Sequence, residues 1–227
     1  MLSDPPGHTT MNTAPARRAR CRGISMIEVL VTLTILGLLL VAVMPSIGSW
    51  MRNTEIRNAA ESIQNGLNKA RSEAVRRNEV ITFSLLTHNA KRQLDGSCAL
   101  SSSSGSWVAS KDNPGGKCDA AVSDTATPFI VAKQSQGEGS PNITVTVRQP
   151  NGTDPCGADD TATSIAFNGY GRIANSPAWT TGPLRCIVVS SLQGNDFRPL
   201  NIVIGSGGTV RMCDPDPSVG ANDPRRC

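Results

Sequence analysis

The sequence predicts an α+β protein in which a long N-terminal α-helix packs on an antiparallel β-sheet domain. Three observations predict this class: an apolar stretch over residues 24–47, helical periodicity up to residue 79, and short β-branched runs separated by turn residues after that. The helix is therefore predicted to have a membrane-spanning half and an amphipathic half. The predicted organisation has four parts, at residues 1–23, 24–47, 48–79 and 80–227.

The apolar stretch is long enough to cross a bilayer. A helix of 24 residues rises about 36 Å, and the hydrocarbon core of a membrane is about 30 Å thick. Basic residues beside a span are retained on the cytoplasmic side, so residues 1–22 are expected there and the C-terminal domain on the other side. The basic residues that set this orientation are Arg17, Arg18, Arg20 and Arg22.

One ionisable side chain, Glu28, lies in this stretch, the fifth residue after Gly23. A carboxylate inside a membrane helix costs about 2.5 to 3.5 kcal/mol, so we expect a compensating partner. Cleavage after Gly23 would free an α-amino group at Ile24, and Glu28 of a neighbouring copy could pair with it. Two plainer interpretations stay open. One is an ordinary secretory signal, cut near residues 46–48; the other is a single-span anchor in which Glu28 snorkels.

Gly37 and Pro45 interrupt the same predicted helix. Glycine raises the entropy cost of helix formation, and proline removes a donor and clashes with the preceding turn. Both residues mark where the helix can bend or loosen, and a passive kink is an equally good interpretation.

Residues 48–79 continue the helix with one apolar face, which predicts a contact with the core. Its members are Ile56, Ala60, Ile63, Leu67, Ala70 and Ala74. The opposite, solvent-facing side is predicted to carry Arg57, Glu61, Lys69, Glu73 and Arg77.

Eight β-branched or alternating runs predict the strands of an antiparallel sheet packed on this helix. They are Val80–Leu86, Trp107–Ala109, Phe129–Lys133, Ile143–Arg148, Ser164–Phe167, Cys186–Ser190, Leu200–Ile204 and Thr209–Cys213. Asn151-Gly152 and the run Gly205–Gly208 permit the positive φ angles of tight connections. The polar segment from Asp95 to Thr127 is predicted to lie on the surface.

Six cysteines follow the predicted span, and an even number on the translocated side predicts disulfides. Six cysteines allow 15 pairings. The pairs we predict are Cys98 with Cys118, Cys156 with Cys186, and Cys213 with Cys227, because each would close a loop that has little else to hold it. The last pair would fix the Asp- and Pro-rich tail to the final strand, with a contribution of about 3 kcal/mol in the chain-entropy model.

The sequence contains few signatures of a metal site, a cofactor site or an enzyme. The chain has no Cys-x-x-Cys pair, and His88 is the only histidine after the leader, which argues against zinc and against a nucleophile–base pair. The glycine run at 205–208 lacks the lysine and the following helix of a phosphate loop. We therefore expect no catalytic residue, no metal and no cofactor.

The charge of the chain does not favour nucleic acid as a whole. Of the formal charge of +4, residues 1–23 carry +3, so +1 remains after them. Asp214, Asp216 and Asp223 lie close to the tail arginines and weaken that patch. The local candidates for contacts with DNA phosphates are Arg172, Arg198, Arg211, Arg225 and Arg226.

The junction at Gly23 resembles the class III signal of type IV pilins and type II secretion pseudopilins. It has a basic leader, a glycine at the cut, a hydrophobic first residue and a glutamate at the fifth position. The family usually has Phe or Met where this chain has Ile24. The resemblance implies that a prepilin peptidase cleaves between Gly23 and Ile24 and methylates the new amine. It also implies an inner-membrane helix that contacts other pilins, and that can melt near Gly37 and Pro45 during assembly.

Three further segments resemble the FimT and GspH family of minor pilins and pseudopilins. They are residues 58–78, residues 165–173, and residues 210–215 together with 223–227, of which the last looks like the FimT branch. The resemblance implies a minor pilin at or near a pilus tip, which is the function we expect, or a GspH-type pseudopilin of a type II secretion system.

Some FimT-type pilins also capture double-stranded DNA through a Gly-Arg-x-Arg element and a basic tail. This chain has Gly208-Thr209-Val210-Arg211 there and lacks the first arginine.

Overall fold

The computed structural model describes residues 23–194, 197–220 and 222–227, so the leader predicted over residues 1–22 lies outside the described residues. The chain divides into two units, one ending at Met44 and one that begins at Pro45.

One helix, α1, covers Met26–Arg77, and its range includes both Gly37 and Pro45. Among the residues that the structure describes, no helix combines the length and the apolar composition needed to cross a membrane. The span predicted over residues 24–47 includes positions 42–46, whose side chains lie outside the description, and it stays a prediction.

The described residues form nine strands, and each of the eight predicted runs contains or overlaps one of them. Sequence analysis missed β5, because its two aspartates, proline and glycine form no apolar pattern; the turn at Gly152, where φ is +60°, brings it beside β4. The strands are β1 (Ile81–Leu86), β2 (Ser106–Ser110), β3 (Ile130–Gln134), β4 (Ile143–Asn151), β5 (Asp154–Asp159), β6 (Ser164–Phe167), β7 (Cys186–Ser191), β8 (Leu200–Ile204) and β9 (Val210–Cys213).

These strands form two sheets, whereas the sequence predicted one. The first sheet has the order β3-β2-β1-β6 and the second the order β5-β4-β7-β8-β9. Every pairing is antiparallel, as predicted. The predicted fold class, a long helix packed on antiparallel strands, is confirmed. The division of the strands into two sheets was not predicted, because local alternation carries no information about strand partners.

The amphipathic part of α1 lies in the core. All six residues of its predicted apolar face, Ile56, Ala60, Ile63, Leu67, Ala70 and Ala74, are 1% exposed or less, which confirms the predicted contact. They belong to one cluster with Phe83 and Leu85 of the first sheet and Ile187 and Ile202 of the second. Burial of each large member contributes about 1.5 to 3 kcal/mol, so the helix holds the two sheets together.

The first sheet is covered on both faces. Every residue of β1 is buried, and the face away from the helix packs Leu86, Val108 and Ile130 against the buried Cys98 and Cys118. The polar segment between Asp95 and Thr127 was predicted to lie on the surface, and that prediction is wrong for its two cysteines and for all of β2, which are buried. Their disulfide gives an otherwise polar segment the apolar contact it needs to cover the sheet.

The last turns of α1 contain a buried carboxylate. Glu73, predicted on the solvent side, is only 7% exposed, and it accepts contacts from Arg76 and Arg77 at 2.9 Å and from Lys69 at 3.1 Å. Hydrogen bonds from Arg76 above all, then from Arg77 and Lys69, outweigh burial and lower the pKa of Glu73 from its ordinary 4.5 to about 2. Arg77 also pairs with Asp124, which ties the helix end to the neighbouring loop.

Gly66 sets how closely α1 approaches the first sheet. A Cβ at Gly66 would lie 2.8 Å from ring atoms of Phe83 and Trp107, which are buried and stacked on each other. We expect Gly66→Ala to lower the free energy of unfolding by about 1 to 3 kcal/mol through overpacking. Gly48, in the same helix, has no atom within 4 Å of its Cβ position. Gly48→Ala should therefore stabilise the chain slightly through helix propensity. Urea titrations of both variants in detergent measure the change in the free energy of unfolding. A change of the same sign in both variants would contradict the prediction.

The charge cluster at Glu73 predicts a pH dependence. Because its folded-state pKa of about 2 lies below the ordinary value of 4.5, the stabilisation is complete above pH 4.5 and is lost as pH falls towards 2. At pH 7 we expect Glu73→Gln to cost on the order of 1 to 2 kcal/mol, since the cations are partly exposed and screened. The difference in the free energy of unfolding between this variant and the unmutated protein should disappear as the pH falls from 4.5 to 2. Glu61→Gln, which removes an exposed pair with Arg57, is the matched control and should cost less.

Candidate functional site

The start of α1 brings together the residues singled out at the predicted cleavage site. Gly23, Ile24 and Ser25 precede the first helical residue, and the Glu28 amide donates to the Ser25 carbonyl at 3.0 Å. Glu28 is exposed in the first turn of the helix. Among the described residues, no hydrogen bond or ion pair reaches its carboxylate. The positive end of the helix dipole favours this negative charge but supplies no direct partner.

The first unit exposes apolar side chains on every side of its helix. Between Ile24 and Val41, each large apolar side chain is between 44% and 87% exposed. A helix that is apolar all round is stable only when a bilayer or other helices cover it. Glu28 therefore lies at one end of an apolar surface that a bilayer or other helices must cover.

Three disulfides hold the second unit. They join Cys98 to Cys118, Cys156 to Cys186, and Cys213 to Cys227, the same pairs that were chosen from the sequence. At the tail, the Asp214 amide donates to the Arg225 carbonyl at 2.6 Å, and the Cys227 amide donates to the Asp214 carbonyl at 3.1 Å. The tail is thus pinned beside the end of β9 by a covalent bond and two backbone hydrogen bonds.

The tail arginines are engaged by the tail itself. Arg225 binds the half-buried Asp223 through two contacts of 3.1 and 2.6 Å, and its hydrogen bonds lower the pKa of Asp223 to about 2. Arg226 donates to the Val219 carbonyl at 3.4 Å, and Arg211 donates to the Cys227 carbonyl, also at 3.4 Å. The structure brings these three candidate DNA contacts to one end of β9, where the charge of Arg225 is already neutralised.

Arg172 lies at the other end of β9. The Arg71 side chain donates to the Gly171 carbonyl at 2.8 Å, and the same carbonyl lies 2.7 Å from where a Cβ of Gly208 would be. This close approach requires glycine in the β8–β9 turn. A four-residue strand spans about 10 Å, so Arg172 is separated from the tail arginines.

A groove in the second unit contains residues that sequence analysis did not combine. It has a volume of about 390 Å³, and Trp50, Arg57, Arg198 and Arg225 line it. Trp50 was not among the functional residues predicted from the sequence. The available signal was its position, three residues past the end of the predicted span, where membrane proteins are enriched in tryptophan. Among the described residues, no group of three or more His, Cys, Asp or Glu side chains could hold a metal ion.

Comparisons with known proteins agree with the motif and the fold. A family model for the prokaryotic N-terminal methylation motif matches residues 18–44, and the model for the type II transport protein GspH matches residues 59–225. Motif and fold together define a pilin-like protein. More particularly, the chain belongs to the GspH family.

Other comparisons are more distant. No match exists among curated proteins. Two crystal structures of the type IV minor pilin FimU from Pseudomonas aeruginosa strain PAO1 resemble the chain, at 15% and 14% identity with TM-scores of 0.40 and 0.37. The alignments cover 73% and 72% of this chain and 91% and 94% of the FimU chains.

Proposed function

We propose that this chain is a minor subunit of a type IV pilus, anchored in the inner membrane by its N-terminal helix and then incorporated at or near the filament tip to support assembly. The observation that carries the proposal is the exposed apolar helix, in whose first turn Glu28 has no partner among the described residues. The methylation motif over residues 18–44 supports pilin-type processing against an ordinary secretory signal.

Processing is proposed at the bond between Gly23 and Ile24, by a prepilin peptidase that then methylates the Ile24 amine. Three residues at this site, Gly23, Ile24 and Ser25, are exposed and lie before the helix. Supporting this choice, a protease requires a non-helical, accessible segment, and a helix that starts at Met26 leaves one.

Assembly is proposed to pair the Glu28 carboxylate with the Ile24 amine of a neighbouring subunit. An isolated carboxylate costs about 2.5 to 3.5 kcal/mol in a membrane helix, and a cationic partner offsets that cost. Pairing between copies makes the charge stabilising only inside a filament. Gly37 and Pro45 are proposed to give the helix room to loosen there.

A second candidate is a GspH-type minor pseudopilin of a type II secretion system, and the description of the matching family favours it. The proposed helix contacts and processing are the same for both. The proposal does not extend to DNA binding, because Arg225 is paired with Asp223 and the net charge after residue 23 is only +1.

Deletion of the gene in its own host separates the two candidates. We expect the deletion strain to lose twitching and surface pili while it still exports exoproteins. Complementation with the unmutated gene should restore the pili. Normal pili combined with lost exoprotein export would reject the pilus assignment in favour of the secretion pseudopilin.

Glu28→Gln tests the assembly role. We expect the variant to be cleaved and methylated normally, since the scissile bond is unchanged, but to be incorporated into filaments at a small fraction of the normal level. Mass spectrometry of the mature N-terminus and immunoblots of sheared filaments measure the two steps. Glu61→Gln, an exposed glutamate of the second unit, is the control and should be incorporated normally. Normal incorporation of Glu28→Gln would refute the pairing.

A further inference from the structure

The groove that contains Trp50 is formed by three parts of the chain. One face of α1 contributes Trp50, Asn53 and Arg57, the residues before β8 contribute Arg198, and the tail contributes Arg225. The Arg198 amide donates to the Asn53 side-chain oxygen at 3.1 Å, which ties the approach to β8 to the helix. The groove therefore has a fixed floor and an open, cationic rim.

Arg198 is the cation of this groove with the fewest local contacts. Arg57 pairs with Glu61 at 2.8 Å and Arg225 with Asp223 at 2.6 Å. No side-chain hydrogen bond or ion pair of Arg198 occurs within residues 23–194, 197–220 and 222–227. The acid on the groove, Asp214, accepts a hydrogen bond from the Asp216 amide at 2.9 Å instead. The guanidinium of Arg198 is exposed and lies within electrostatic range of Asp216. Because no ion pair joins the two side chains among the described residues, the guanidinium can contact an external anion.

The position of the groove along the chain limits what that anion can be. Trp50 follows the end of the predicted span, Ile47, by three residues, which reach at most about 11 Å even when fully extended. The headgroup layer on each side of a bilayer is about 5 to 8 Å thick. Trp50 is 67% exposed, and Ile47 and Met51 beside it are 49% and 54% exposed. Exposed tryptophan at this depth is typical of membrane–water interfaces.

We propose that this groove binds the phosphate of an anionic phospholipid headgroup, with Arg198 contacting the phosphate and the Trp50 ring lying in the headgroup layer. The inference rests on the membrane anchoring given under the proposed function. The contact fixes the depth of the second unit above the bilayer before assembly. The Cys213–Cys227 bond takes part, because it holds Arg225 on the rim of the same groove.

The test uses the full-length chain in nanodiscs that contain either phosphatidylglycerol or phosphatidylcholine, each with a photoreactive headgroup analogue. We expect phosphatidylglycerol to label peptides that contain Trp50 and Arg198, and phosphatidylcholine to label them several-fold less. Arg198→Gln should reduce the phosphatidylglycerol label about fivefold, the effect of one basic residue at an anionic surface. Arg198→Lys should retain most of it. Arg172→Gln, an exposed arginine outside the groove, is the matched control and should label normally.

Three results would overturn the inference. They are equal labelling by both lipids, unchanged labelling of Arg198→Gln, and loss of the label when millimolar glycerol phosphate is added, which would indicate a site for soluble phosphate. A cross-link from the groove to a second copy in place of lipid would also reject it. Carbonate extraction distinguishes failure of the proposed headgroup site from failure of the proposed membrane anchoring. A chain that remains in the membrane but shows one of these results rejects only the headgroup site, whereas a chain released by carbonate rejects the anchoring.

Discussion

The close packing of one helix face against two sheets is the constraint on which the second unit depends. Between Ile56 and Ala74 the face combines large residues with alanines, and the absence of a side chain at Gly66 leaves room for the rings of Phe83 and Trp107. The sheets share no strand, so the helix is what makes their inner faces one core. The chain is poor in aromatic residues, at 4%, and this interdigitation compensates for the lack of large rings.

The two units differ in how a glutamate side chain is neutralised. At Glu73 the chain surrounds a buried carboxylate with three cations, and the group is stabilising within a single molecule. At Glu28 the chain supplies no partner among the described residues, next to apolar side chains that are all exposed. A group that is satisfied internally serves stability, whereas one that is left unsatisfied beside an apolar surface points to association. This contrast supports the filament proposal without reference to any relative.

Local patterns predicted a large part of this fold. The buried face of α1 follows from helical periodicity, and eight strands follow from runs of β-branched residues, because burial on one side leaves its period in the sequence. The split into two sheets was missed because it depends on strand partners distant in sequence, such as β1 and β6. The strand β5 was missed because its residues form no apolar pattern, and the burial of Glu73 because a charged residue was assigned to the solvent side. The same limit applies to function. Gly23, Ile24 and Glu28 form a contiguous motif that could be identified, whereas Trp50 and Arg198 are 148 residues apart and meet only in the folded chain.

The disulfides differ in their access to solvent. Cys98 and Cys118 are 4% and 0% exposed beneath the covering segment of the first sheet, while Cys227 at the tail is only half-buried. Thiol exchange requires an attacking thiolate to reach a sulfur, so a reductant meets the tail bond first. The Cys98–Cys118 bond is therefore protected for as long as the first sheet is folded, whereas the tail can be released while the rest of the fold stays intact.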